Sequence, residues 1–376
     1  MITRHYEPLQ RWLQPNKVLV VFGPRRAGKT TMLANLLRNT TLKYKLDTGD
    51  DIRAQQVLGS RDLAQLLAYA QGYELIAIDE AQYIPNIGWG LKMLVDHIPG
   101  IQVVVTGSSS FELGGQIGEP LTGRKTTITL HPFSQEELLG QTGNAHELRL
   151  KLEDRMILGS YPDVVTAPNR QAAIQALVEI TNSYLFKDVF SFEKIRNSRT
   201  LTDLAKMLAF QVGAEVSLNE LATHLGIDVK TVSRYIDIME KAFVVRRVGG
   251  FSGNLRNEIT KKQKIYFLDN GIRNAVIAQF NPIVDRNDSG QLWENLMLSE
   301  RLKYRANHQV LAGEYFWRNY QQQEVDLLEQ RDGRLFGYEF KWSETARSKP
   351  PSAWQKAYPE AEYKVITPAN YLDFVG

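Results

Sequence analysis

The sequence predicts an α/β chain of several domains that opens on a parallel sheet covered by helices. Three observations predict it. Short β-branched runs alternate with longer helical patterns through the first half. Helical spacing alone dominates from about residue 147 to residue 207, and the last third returns to mixed strand and helix with hairpin turn chemistry. At 376 residues the chain exceeds one ordinary domain of roughly 150 residues, and each domain is long enough to bury a core. Hydrophobic residues at 43% and charged residues at 23% are those of a folded globular protein. The net charge of +3 permits an anionic partner without naming one. The absence of cysteine excludes disulfides, thiolate catalysis and Cys-ligated zinc or iron–sulfur sites, and predicts a cytoplasmic home. The start, MITRHYEPLQRWLQPNK, has no apolar core of a signal, and no apolar run approaches the roughly 20 residues that span a bilayer. No membrane partner is expected.

In order, strands are predicted at 18–22, 44–47, 75–78, 103–106 and 126–130, with helices at 29–38, 61–69 and 91–97 between them. Further on, Ser217 and Glu220 read as a capping box. That helix carries Leu218, Leu221, Ala222 and Leu225, and after the turn 226–228 a second helix carries Val229, Val232, Ile236 and Met239. Two helices so tightly joined are a helix-turn-helix. Strands at 243–248 and 264–268, with Gly249 and Gly250 between, would form its wing. The last hundred residues add a helix at 293–302, a strand at 315–317, and a hairpin pairing 325–329 with 335–341 around Arg331, Asp332 and Gly333.

Gly23, Pro24, Arg25, Arg26, Ala27, Gly28, Lys29 and Thr30, followed by Thr31, match G-x-x-x-x-G-K-[ST] between an apolar strand and a helix. That is the context a P-loop requires. Its backbone N–H groups cradle phosphate, Lys29 reaches the β- and γ-phosphates, Thr30 holds Mg²⁺, and the helix N-terminus favours the anion. The cofactors predicted are therefore ATP and Mg²⁺. Leu75 to Ile78 form an apolar strand ending in Asp79 and Glu80, the Walker B arrangement. Asp79 would hold Mg²⁺ in its outer shell and Glu80 would orient or deprotonate water. Another apolar strand ends at Thr106 and Ser108, hydroxyls able to sense the γ-phosphate. Arg124, before the fifth strand, is a candidate arginine finger for a neighbouring subunit's nucleotide, which predicts a homo-oligomer.

The layout resembles a family of prokaryotic AAA ATPases, often called archaeal-type ATPases, with a winged helix and a C-terminal domain of the restriction-endonuclease-like fold. Its marks here are GPRRAGKTT, IAIDEAQ, VTGSSS, TGRKTTITLHPFS, the GSYP of residues 159–162, and the EVD and EFK segments near the end. The resemblance implies a P-loop AAA-type domain at 1–140, a helical lid at 141–210, a winged helix-turn-helix at 211–275 and an endonuclease-like α/β domain at 276–376.

The second helix of the helix-turn-helix presents Lys230, Thr231, Ser233 and Arg234, types that contact phosphates and base edges. From residue 241 to 264 there are seven basic residues (Lys241, Arg246, Arg247, Arg256, Lys261, Lys262 and Lys264) against Glu258 alone. Double-stranded DNA is the partner such a wing predicts. A winged helix also serves as a protein-docking module. In the terminal module Glu339 and Lys341, two apart on one strand, share a face, and the hairpin brings Asp326 beside them. Two carboxylates suit Mg²⁺, and a lysine can orient water. The resemblance assigns these residues to the D…E-x-K site of restriction-endonuclease-like nucleases and Glu294 to the acid of a preceding helix. Val325 stands where some relatives have proline. The expected function is an Mg·ATP-hydrolysing ATPase acting on or with DNA. One rival is an ATP-dependent switch binding protein partners through a catalytically inactive nuclease-like domain, and another is a metal-dependent nuclease gated by ATP.

Overall fold

A computed structural model describes residues 2–107, 120–183, 198–251 and 263–375. It divides into two compact units, one of residues 3–132 with 241–243, the other of residues 133–240 and 244 onward with Ile2. Among the described residues no helix is long and apolar enough to cross a membrane.

The first unit holds five parallel strands, β1 (Lys17–Phe22), β2 (Tyr44–Thr48), β3 (Leu75–Asp79), β4 (Gln102–Gly107) and β5 (Lys125–Thr129), in the order β2-β3-β4-β1-β5. Side chains alternate between the two faces of a strand. Val18, Val20 and Phe22 of β1 accordingly join Ile76, Ile78, Val103 and Val105 in a core under Leu58, Leu66, Leu91 and Leu94. Leu19 and Val21 face the other way, onto Met32, Leu33 and Leu36 of the helix Lys29–Asn39. With both faces covered, β1, β3 and β4 read as unbroken apolar runs, which is why they were legible. The helix Ile52–Leu58, capped by the Asp51 side chain on the N–H of Arg53, was not expected. Its seven residues are too few to show a period.

In the second unit the helical stretch expected at 141–210 is observed as Ala145–Leu150, Leu152–Leu158, Pro162–Val165, Arg170–Ser183 and Ser198–Phe210. The helix-turn-helix follows as Leu218–Leu225 and Val229–Lys241. Ser217 accepts from the N–H of Glu220 at 3.3 Å, one arm of the expected box. Asp228 caps the second helix, taking both the N–H and the hydroxyl of Thr231.

The expected wing is an antiparallel pair, β6 (Val245–Gly250) with β7 (Gln263–Phe267), but it is not a separate structure. β6 also pairs in parallel with β8 (Gly313–Arg318), and the sheet continues through β9 (Glu324–Arg331), β10 (Arg334–Phe340) and β11 (Glu362–Ile366). The boundary expected at 275/276 thus divides one six-stranded sheet, ordered β11-β10-β9-β8-β6-β7. The two compact units divide at 132/133, eight residues before the boundary expected at 140/141. Asp332 and Gly333 turn the β9–β10 hairpin with φ of 50° and 74°, as a two-residue type I′ loop demands.

The helix Ser289–Asn307 is stitched to this sheet at both sides. Asn295 exchanges hydrogen bonds with both backbone groups of Phe267 at 2.8 and 2.9 Å, and Trp293 donates to the carbonyl of Ile366 at 3.2 Å. Two sequence blocks prove to be structural. The TLHPFS segment ends on a complete capping box of Ser134 and Glu137. There the N–H of Gln135 meets buried Glu300 at 2.7 Å and Lys303 meets the carbonyl of Phe133 at 3.0 Å. In GSYP, a side chain at Gly159 would overlap the Asp269 carboxylate, at 1.9 Å. That carboxylate accepts from the N–H groups of Ser160 and Gly271, at 2.8 Å each.

Candidate functional site

Parallel pairing in register puts Phe22, Thr48, Asp79, Gly107 and Thr129 at one edge of the first sheet. The carboxyl ends of strands in such a sheet form the crevice where ligands bind. The loop leaving β1 lies there, with Arg26 and Gly28 in left-handed conformations, φ 62° and 98°. A Cβ on Gly23 would stand 2.1 Å from the carbonyl oxygen of Leu130, so only glycine fits. Lys29 is buried, its Nζ held by the carbonyls of Gly23 and Pro24 at 3.1 and 2.9 Å.

The acids of β3 are joined to this loop through hydroxyls. Thr30 donates to Asp79 Oδ2 at 2.8 Å, Thr106 donates to Asp79 Oδ1, and the Thr106 hydroxyl accepts the N–H of Glu80 at 3.0 Å. Glu80 itself is left-handed, φ 50°, and its carboxylate accepts from Gln82. Thr31, the third residue of the helix, is exposed, and Arg25 donates to the Tyr83 hydroxyl at 2.9 Å. Arg4 escaped the sequence reading: buried, it donates to the carbonyls of Ala27, at 3.1 Å, and His131, bracing the loop from beneath. An isolated arginine near the N-terminus carries no local signal of that role.

Ser108 lies outside the described residues. Arg124 is not gathered into the crevice. It precedes β5 at the amino edge of the sheet, about 17 Å from the loop by strand length, and is ion-paired with Asp96 at 2.5 Å with its side chain 41% exposed.

The second unit brings Glu294, Asp326, Glu339 and Lys341 together with residues the sequence reading missed or assigned elsewhere. Glu339 stands one step beyond the Tyr338–Leu327 pair and so opposite Asp326, whose Oδ2 accepts the N–H of Phe340 at 2.8 Å. Lys341 Nζ lies 2.7 Å from Glu339 Oε1. Glu294 accepts from the Tyr266 hydroxyl at 2.6 Å and from Lys264 at 3.2 Å, while Lys264 also pairs with Glu324. Burial, then the charges of Glu294 and Glu339, hold the Asp326 carboxyl well above its ordinary range. Burial raises Glu294 as well, against the pull of Lys264 and Tyr266. Burial disfavours the charge on Lys264, but Glu294, Glu324 and Asp326 outweigh it and hold the amine above its ordinary range. Glu339 Oε2 is buried and makes no hydrogen bond. A buried carboxylate oxygen without a donor, beside a second carboxylate, fits a hard divalent cation.

Lys264 is therefore not the exposed DNA contact expected of it: it is buried in the acidic cluster, where the half-buried carboxylates of Glu294 and Glu324 compensate its charge. Arg246 pairs with Glu314, and Arg247 with Asp237 and with Glu240 at 2.6 Å, so neither is an uncompensated charge on the wing. Lys261 and Lys262 lie outside the described residues. Lys230 and Arg234 are exposed on the second helix, as expected.

The glycine-bearing strand-to-helix turn, its lysine, and a hydroxyl-linked acidic strand end define a P-loop nucleotide-binding domain. Residues 15–139 match the model of an AAA domain, which supports an AAA-type ATPase. Residues 149–282 and 289–372 match two domains of unknown function, DUF8612 and DUF4143. The chain is 28% identical over 340 residues to a protein of Mycobacterium tuberculosis, covering 90% of this chain and 73% of that one. A Methanocaldococcus jannaschii protein is 24% identical over 368 residues, covering 92% of this chain and 79% of its own length. Among solved structures, a Thermotoga maritima RuvB variant aligns with a TM-score of 0.31 at 18% identity, over 62% of this chain and 82% of that chain.

Proposed function

We propose that this chain is an Mg·ATP-hydrolysing AAA-type ATPase acting on or with double-stranded DNA, whose second unit holds a divalent-cation site of the restriction-endonuclease-like kind. The observation that carries the ATPase reading is the hydroxyl relay Thr30–Asp79–Thr106–Glu80 at the mouth of the P-loop. In this reading the N–H groups of residues 23–31 and Lys29 bind the phosphates, and Thr30 and Asp79 hold Mg²⁺. Bound Mg²⁺ would neutralise charge on the transferring phosphoryl group. Glu80, its backbone fixed by Thr106, orients or deprotonates the attacking water. Arg124, distant from its own crevice and partly exposed, would serve the nucleotide of a neighbouring copy in a homo-oligomer. Mixing Arg124→Ala with Lys29→Ala should then restore turnover that each lacks alone.

Lys230 and Arg234 support DNA contact through the second helix. The compensated charges of Arg246, Arg247 and Lys264 favour the other reading, an ATP-driven switch docking a protein. DNA-stimulated ATP hydrolysis and DNA cleavage measured side by side separate the two. The DNA reading expects duplex DNA to accelerate hydrolysis, and hydrolysis indifferent to DNA, with no binding at low salt, leaves the switch.

A further inference from the structure

The acidic cluster of the second unit carries its own cation. Lys264 stands on β7 with its side chain only 2% exposed, between Glu294 and Glu324. Tyr266, two residues on and therefore on the same face of β7, donates to the Glu294 oxygen that Lys264 also meets. The two lysines of the cluster are unlike. Lys341 follows β10, is 44% exposed and pairs with Glu339, so it can swing into water. Lys264 is enclosed, and a buried ammonium is tolerated only where carboxylates compensate its desolvation. Its charge is bound to the cluster as firmly as the carboxylates are.

We propose that Lys264 is a built-in counter-cation that withholds Glu294 and Glu324 from a divalent ion, confining metal binding to Asp326 and Glu339 and weakening it. This rests on the reading of the cluster as a cation site. The physical reason is direct: an ammonium within hydrogen-bond reach of a carboxylate both occupies that oxygen and repels a dication approaching it. The two carboxylates left are the ones Lys264 does not bond, and one of them has the buried oxygen without a donor.

The test is Mn²⁺ titration of the nucleotide-free, full-length protein carrying Lys29→Ala, followed by electron paramagnetic resonance. Weak binding is expected, lost on Glu339→Gln. Lys264→Gln, which keeps a donor for Glu294, and Lys264→Met should each tighten Mn²⁺ binding by at least about tenfold. Unchanged or weaker affinity in both variants overturns the inference while leaving the cation site standing, provided Glu339→Gln still abolishes binding. Absence of Mn²⁺ binding in every variant overturns the site itself. Should the Lys264 variants be destabilised, thermal unfolding decides. A larger Mn²⁺-induced rise in Tm than in the parent supports the inference, and an equal or smaller rise overturns it.

Discussion

The nucleotide crevice and the acidic cluster both gather carboxylates, yet they hold them by opposite means. Asp79 is held by the hydroxyls of Thr30 and Thr106, and the lysine nearby is held by backbone carbonyls. Glu294, Glu324 and Glu339 are held by the ammonium groups of Lys264 and Lys341. A hydroxyl positions a carboxylate without cancelling its charge, so a metal ion arriving with a nucleotide still meets a full anion. An ammonium positions and cancels at once. The first arrangement suits a site that fills and empties with each turnover, the second one that stands compact without a ligand.

The comparison breaks most visibly at the crevice. Lys29→Ala should abolish ATP binding in a titration with a fluorescent analogue. Glu80→Gln should bind ATP as the parent does and lose about 10²- to 10⁴-fold in turnover, the usual scale of general-base catalysis; parental turnover would remove Glu80 from that role. Thr106→Val sharpens the point about hydroxyls. It deletes the link from Asp79 to the Glu80 backbone, and hydrogen bonds to charged groups contribute about 1.5–3 kcal/mol, so hydrolysis should fall roughly ten- to a hundredfold with the fold unchanged by circular dichroism. On the acidic side, Asp326→Asn keeps an acceptor for Phe340 and relieves like-charge crowding. Metal-free Tm should rise by about 2–4 °C and Mn²⁺ binding should vanish, and a fall in Tm would mean the carboxylate is needed as an anion. The smallest effect concerns DNA. Lys230→Ala with Arg234→Ala should flatten the dependence of log K on log salt by about 2, near 0.9 for each phosphate no longer neutralised, as read by anisotropy with duplex DNA between 50 and 200 mM salt.

How much of this the sequence disclosed follows from how local each signal is. The P-loop, the acidic end of β3 and Thr106 are consecutive or strand-terminal features, and their partners follow from parallel register. Asp326, Glu339 and Lys341 were legible for the same reason, through a two-residue turn that fixes the hairpin. Lys264 misled because basic neighbours in sequence do not share an environment. On β7, Lys264 points into the cluster, while Arg246 and Arg247 on adjacent positions of β6 pair with Glu314 and with Asp237 and Glu240. Glu324 and Tyr266 gave no pattern at all, because Glu324 meets Lys264, and Tyr266 meets Glu294, only once the sheet joins β7 to β8 through β6. The same junction hid the true extent of the sheet, since parallel pairing of Gly249 and Gly250 with Tyr315 and Phe316 links strands more than sixty positions apart.

That junction limits how the chain can be cut. A fragment beginning near residue 276 would keep Glu294, Asp326 and Glu339 but leave behind Lys264 and Tyr266, stranding the half-buried Glu294 carboxylate, whose partners are on the discarded piece. It would also bare the backbone of β8 along the side that β6 covers, a row of unpaired groups of the kind that recruits other strands and drives aggregation. Insolubility of such a truncation would therefore say nothing against the terminal strands as a folded entity. For the same reason, recombination that exchanged the helix-turn-helix and its hairpin for another would have to bring a lysine and a tyrosine in register with it, so the helix-turn-helix with its hairpin and the acidic cluster are heritable only together.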